Sequence, residues 1–275
     1  MSIVTKAKAT QDLKSDIKKL IQPIIGDINQ FIKPTDRVLL KPNFNTADPF
    51  PASTDMDFLL AVIEIISQAK PKEIIVGESC TYFLNTEKVC QAKGAPELLK
   101  KHNVTWHNFD LNPWVKKNVP GGKYFKKISV PKITDEIDKL IFLPCLKTHK
   151  YACFTMSLKI TIGMLKSTHR ASLHLSHLGE KISEVAALFQ PDLVIMDGRK
   201  CFVTQGPEKG QIEEPNILMA STDRIALDVE GLKILQSYKA ENLLGNDPWA
   251  LGQIKTAVEL GIGSKSAEDY NLIEI

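Results

Sequence analysis

The stretch RVLLKPNFNTADPFPASTDMDFLLAVIEIISQAKPKEIIVGES, residues 37–79, decides the fold class. Arg37-Val38-Leu39-Leu40 is an apolar run of strand length, and Lys41-Pro42-Asn43 stops it. Thr54 and Asp57 then form a capping-box-like start. Phe58, Leu59, Val62, Ile65, Ile66 and Ala69 follow at helical spacing, which predicts a helix over residues 54–69. Glu73-Ile74-Ile75-Val76 is the next strand, running out into Gly77-Glu78-Ser79. Strand, helix, strand in this order implies a crossover that leaves the two strands parallel.

Working outward, a helical stretch around 86–103 leads to a third strand at Thr105-Trp106-His107-Asn108-Phe109. Residues 111–131, with three prolines and a Gly-Gly pair, break the rhythm and read as an insertion or β-arm. The second half resumes with a strand at Lys139-Leu140-Ile141-Phe142-Leu143 and a helical region over about 154–189. Strands at Asp192-Leu193-Val194-Ile195-Met196 and Ile217-Leu218-Met219-Ala220 follow, with helices near 222–237 and 246–260. The expectation is an α/β fold of mostly parallel sheets with crossover helices. Residues 1–275 form one domain, or two α/β lobes joined near 111–131.

Composition narrows the function classes. The 275 residues carry 35 Lys and Arg against 32 Asp and Glu, a formal net charge of +3, and 7% aromatics. Neither the clustered positive charge nor the stacking rings of a dedicated nucleic-acid binder are there. The N-terminal MSIVTKAKATQDLKSDIKKL lacks the apolar core of a signal peptide, and no run approaches the ~20 apolar residues of a membrane span. Five scattered cysteines, an odd number with no C-x-x-C pair, read as reduced thiols. A cytoplasmic protein without nucleic-acid or membrane partners is expected.

Open α/β sheets bind ligands beyond the carboxyl ends of their strands, where the crossover loops diverge. That rule selects Lys41 and Asn43, Glu78 and Ser79, Lys147, Thr148 and His149, Asp197 and Gly198, and Ser221 and Asp223. The densest stretch is Pro144-Cys145-Leu146-Lys147-Thr148-His149-Lys150-Tyr151, continuing through Thr155 and Lys159 to His169, His174 and His177. Histidine exchanges protons near neutral pH and ligates metals, and a lysine of lowered pKa serves as base, nucleophile or oxyanion clamp. Phe154, Leu158, Ile162 and Leu165 suggest an apolar helical stripe, with Thr155, Lys159 and Lys166 on another face. His174 extends the stripe of Leu178, Ile182, Val185 and Phe189 by one turn, unless Gly179 breaks the helix. An inward histidine there is a core hydrogen-bonding group or a ligand contact. His174 and His177 could share a metal, although no Asp or Cys stands at a confirming spacing. Asp228 falls inside the stripe of Ile225, Leu232 and Leu235, so it must cap a loop, pair with a cation or face a substrate. The phosphate-loop, dinucleotide and serine-hydrolase motifs are missing.

Leu40-Lys41-Pro42-Asn43, the 143–149 run, 155–159, Asp197-Gly198, Gly206-Pro207 with Gly210, and Ser221-Thr222-Asp223 with Ala226 and Asp228 resemble domain-of-unknown-function family 362, in its order. The resemblance implies relatives common in anaerobes and often fused to a ferredoxin module with two iron–sulfur clusters. This chain has no such cysteine run, so an electron-transfer role would need a separate ferredoxin. A more distant similarity is to the nickel-pincer lactate racemase family, whose central histidine, threonine, lysine and later histidine resemble His149, Thr155, Lys159 and His174. In that family such groups handle cofactor and substrate and exchange protons. The Gly-rich turn before its lysine is replaced here by Thr155-Met156-Ser157-Leu158.

The leading expectation is an enzyme of isomerase or lyase type for a small carboxylate or phosphate. Lys147, His149, Lys159 and His174 would be its catalytic groups, and Lys41, Asn43, Glu78, Thr155, Asp197 and Asp228 its binding groups. The alternatives are a metal-binding or redox-partner protein using Cys145 and Cys153 beside His149, and a non-catalytic ligand-binding protein. No metal ligand set and no cofactor are assigned.

Overall fold

Near-continuous burial along the apolar runs sets a sheet with a core on each face. The computed structural model describes every residue except 171, 172, 174 and 175. The chain opens with β1 (Ser2–Lys8), α1 (Leu13–Ile25) and the single turn α2 (Ile28–Phe31). Then come β2 (Arg37–Pro42), α3 (Met56–Ser67), β3 (Glu73–Glu78), α4 (Thr86–Ala92), α5 (Ala95–Lys101) and β4 (Thr105–Asn108). The predicted helix over 86–103 is thus two helices, parted at Gly94, whose φ of 68° ends the first. Asp55, rather than Thr54, caps α3 by accepting from the Phe58 amide at 3.0 Å. Thr54 instead bridges two loops, since its hydroxyl accepts from the Asn43 amide and donates to the Leu143 carbonyl.

The second half contains the hairpin β5 (Trp114–Asn118) and β6 (Lys127–Pro131), then β7 (Lys139–Leu143), β8 (Cys145–His149) and β9 (Cys153–Thr155). A 3-10 segment (Lys159–Met164), α6 (Ser167–Arg170) and α7 (Leu178–Ala186) lead to β10 (Leu193–Phe202). The chain closes with β11 (Ile212–Glu213), β12 (Ile217–Ser221), α8 (Arg224–Ser237), α9 (Gly252–Glu259) and β13 (Tyr270–Glu274). The amphipathic helix expected from residue 154 onward is therefore corrected. Phe154 is a strand residue, and the backbone reaches it through Cys153 at a φ of 64°. Nor does α7 extend back to residue 174, because His177 precedes it with a φ of 52°. His174 itself lies outside the described residues.

One sheet runs through both halves in the order β13-β1-β12-β10-β7-β2-β3-β4. The pairs from β10 through β7, β2 and β3 to β4 are all parallel, whereas β12 is antiparallel to both β10 and β1. Val38 and Leu40 face one core and Leu39 the other, as a strand's two-residue period demands. Residues 111–131 hold the β5–β6 hairpin. That segment's hairpin supplies Val119, Ile128 and Val130 to the same core as α7, α8 and α9.

From β2 the chain winds outward to β3 and β4, while β7, on the other side of β2, leads to β10. The order reverses between β2 and β7, so their carboxyl ends border the crevice where such sheets take ligands. Pro144 separates β7 from β8, which leaves the β7 line to pair with β10 and β9.

Candidate functional site

A cavity of about 320 Å³ opens at this switch point. Of the residues selected from sequence, Lys41, Asn43, Glu78, Lys147, His149, Thr155 and Lys159 all line it. The β8–β9 hairpin explains part of this convergence. Lys147 and His149 are two apart and share a strand face, and the register sets Lys147 opposite Thr155.

The cavity's polar groups divide into those already satisfied and those left over. Lys41 Nζ meets Glu78 Oε1 at 2.6 Å and donates to the Pro42 carbonyl at 2.8 Å. Glu78 also accepts from the amides of Phe44 and Ser79, both at 2.8 Å. Both side chains are buried, and burial pulls the Lys41 pKa down while the Glu78 charge opposes it. The ion pair is a fixed wall. Gly163 leans on it so closely that a Cβ there would sit 2.5 Å from Glu78 Oε1 and 2.7 Å from Lys41 Nζ.

Lys147 is 0% exposed, and its ammonium donates to Asn43 Oδ1 at 2.9 Å and the Ala52 carbonyl at 2.5 Å. Both acceptors are neutral. Burial lowers its pKa, and the more distant Glu208 only partly opposes this. Lys159 keeps part of its surface open to the cavity. Burial and then the Lys147 charge bring its pKa down to about 8, against an opposing pull from Glu208. Thr155 is 4% exposed, and its hydroxyl has no hydrogen-bond partner among the described residues. Two ammonium groups with no contacting carboxylate among the described residues, and an unanswered hydroxyl, therefore share one cavity.

His149 Nδ1 accepts from the amides of Tyr151 and Ala152, both at 3.1 Å. These bonds fix the ring as the Nε2–H tautomer, since a proton on Nδ1 would point at two other donors.

The sequence profile described as Domain of unknown function (DUF362) matches residues 38–233, which span this whole site. The chain belongs to this family. A thylakoid-associated protein of Synechocystis sp. is 28% identical over 270 residues, covering 93% of this chain and 77% of its own. In fold, this DUF362 chain is similar to the lactate racemase apoprotein of Thermoanaerobacterium thermosaccharolyticum, with a TM-score of 0.54 and 12% identity. That match covers 85% of the DUF362 chain, which spans only 57% of the racemase. A Thermotoga maritima protein matches with a TM-score of 0.45 and 13% identity, over 90% of this chain and 59% of its own.

Two predicted binding residues of the DUF362 chain, Asp197 and Asp228, do not line the cavity. Asp197 is fully buried against Arg199, whose guanidinium donates to both its oxygens, the shorter contact being 2.7 Å. Asp228 accepts from the amides of Ser157 at 2.9 Å and Leu158 at 3.0 Å. It thus holds the turn that aims Lys159, at the cost of burial that raises its own pKa to about 6. Ser221 and Asp223 tie β12 to the N-terminal strand: Ser221 donates to the Ile3 carbonyl, and Asp223 accepts from Ser2.

Sequence reading does not select Arg170, yet it lines the cavity. It donates to the carbonyls of Leu165, Ser79 and Cys80 and to the Ser79 hydroxyl, tying α6 to the end of β3. No periodicity signals it, because most of its partners are groups some ninety residues away. Cys145 is buried, with its thiol pushed up to about 11 by burial, and Cys153 sits half-buried on the hairpin. Among the described residues, no group of three or more His, Cys, Asp or Glu could hold a metal ion. No helix among them is long and apolar enough to cross a membrane.

Proposed function

We propose that this protein is an enzyme that binds a small carboxylate or phosphate in the switch-point cavity and moves a proton on it, in an isomerase- or lyase-type reaction. The observation that carries this reading is the combination of Lys147, Lys159 and the unanswered Thr155 hydroxyl around one space. Burying an ammonium group without a counter-charge costs several kcal/mol, so an anionic ligand is the missing partner. In this reading Lys147, held by Asn43 and Ala52, is the fixed cation facing the anion. Thr155 donates to one ligand oxygen. Lys159, with a pKa near 8, is poised to pass between amine and ammonium at working pH.

A base must be able to accept a proton, and this distinguishes Lys159 from His149. Protonating His149 would set a new N–H against the amides of Tyr151 and Ala152, whereas the Lys159 amine meets no such obstacle. The transfer therefore falls to Lys159. The neutral amine takes a proton from the carbon beside the carboxylate, Lys147 stabilises the charge that develops on oxygen, and the lysine returns a proton. The described donor set does not fit a metal ion held by protein side chains, and no step here depends on one. The fold likeness to a racemase apoprotein agrees with this class of chemistry without naming the substrate.

The test is deuterium incorporation next to the carboxylate of small carboxylic acids in heavy water, followed by NMR. Exchange by the wild type that is lost in Lys159→Met supports the reading. Binding of these acids with no exchange in either protein would favour a non-catalytic ligand-binding role.

A further inference from the structure

The cavity is not cationic throughout. Its mouth carries Tyr82, Phe83 and Tyr151, which are 50%, 71% and 66% exposed, and Ile160, Ile162 and Leu173 line it further in. Tyr82 and Phe83 meet edge to face with ring centroids 5.3 Å apart. Their loop is anchored at its base, where Thr81 donates to Asn45 through its amide at 2.9 Å and its hydroxyl at 2.6 Å. Exposed aromatic surface at the rim of a pocket marks a place where apolar area is to be covered. The volume points the same way, because an isolated carboxylate or phosphate would leave most of about 320 Å³ empty.

We infer that the ligand is an amphipathic anion. Its carboxylate or phosphate head sits among Lys147, Thr155 and Lys159, and its flat apolar body, most simply an aromatic ring, covers Tyr82 and Phe83. This rests on the anion-binding reading above and adds the substrate class. The charge pattern favours one orientation: Lys147 is fully buried and Lys159 largely so, whereas the rings and the exposed Lys150, whose Nζ lies over the Tyr151 ring, are at the mouth, so the head enters first. A second copy of the chain or a lipid surface would meet the same rings but would leave the deep cations unanswered.

The probes are phenylacetate, acetate and phenylacetamide, with phenyl phosphate and inorganic phosphate as the second head group, in ligand-observed NMR titrations. Phenylacetate is expected to bind roughly tenfold or more tightly than either acetate, which lacks the body, or phenylacetamide, which lacks the charge. The phosphate pair shows the same preference for the ring if that head is accepted. In the Tyr82→Ser/Phe83→Ser protein, checked for an unchanged circular dichroism spectrum, the ratio of phenylacetate to acetate affinity falls towards one. Equal affinities for phenylacetate and acetate in the wild type overturn the inference, as does a ratio that survives the double substitution. If acetate and phenylacetate bind alike but both lose affinity in Lys159→Met, the amphipathic class fails while anion binding stands. If neither lysine substitution, Lys147→Met or Lys159→Met, weakens any probe, both readings fall. A dimer or vesicle-bound form that is abolished by the double substitution, without a phenylacetate preference, assigns the rings to that contact and refutes the proposal.

Discussion

At the scale of single residues, the informative groups are those the protein leaves unsatisfied. Thr155 buries a hydroxyl that no described neighbour answers, which costs stability in the empty protein. Thr155→Val should therefore leave stability unchanged or raise it by up to about 1 kcal/mol, while weakening anion binding about tenfold. Chemical denaturation and titration on the same sample check both signs. Lys159 gives a pH signature. Its pKa of about 8 means that the ammonium is lost as pH rises through that value, so anion affinity should fall there. Lys159→Arg, charged throughout, should flatten the profile. The same group affects stability. Its folded pKa lies below the ordinary 10.5, so between about 8 and 10.5 the unfolded chain binds more protons and stability rises with pH. A wild-type minus Lys159→Met difference with no slope in that window would refute the shift.

At the scale of elements, the turn at residues 157–158 positions Lys159 and the turn at Gly163 backs the Lys41–Glu78 pair. Asp228, on α8, gives one oxygen to each of the Ser157 and Leu158 amides. Asp228→Asn keeps the shape but turns one acceptor into a donor, so one amide loses its partner. A loss of about 1–3 kcal/mol is expected by denaturation, with weaker proton exchange as Lys159 loses its placement. Gly163→Ala should cost a similar amount, about 1–3 kcal/mol, because its Cβ would press on the Lys41–Glu78 pair. These turns also mark where local sequence reading fails. Leu158, Ile162 and Leu165 keep a helical spacing with Phe154, yet Phe154 belongs to a strand paired with β8. The partner in that pairing, not the local period, settles the conformation. By contrast, α3 was legible because Asp55 and its apolar face lie within one segment, although the capping residue is one position beyond the expected Thr54.

At the scale of the whole molecule, the parallel order was legible because crossover helices leave few ways to arrange β2, β3 and β4. The strand-end rule then selects Lys41, Asn43, Glu78 and Lys147 from chain order, whereas Lys159 stands out through the dense run of lysines and histidines that follows Pro144. Asp197 and Asp228 were not legible in the same way, because burial of a carboxylate fits an ion pair or a cap as well as a substrate contact. Only Arg199 and the 157–158 amides distinguish these. Five cationic side chains line the cavity against two carboxylates. Binding of an anion should accordingly weaken as ionic strength rises, though less steeply than at an exposed site, because of the five only Lys150 is exposed. Titrations at two salt concentrations check this.

The most direct measurement is a crystal structure of the protein grown with phenylacetate or phenyl phosphate. The anionic oxygens are expected within about 3 Å of Lys159 Nζ and Thr155 Oγ1, near Lys147, with the ring toward Tyr82 and Phe83. A cavity without bound anion at saturating ligand, with the lysines paired to carboxylates of the chain, would contradict this.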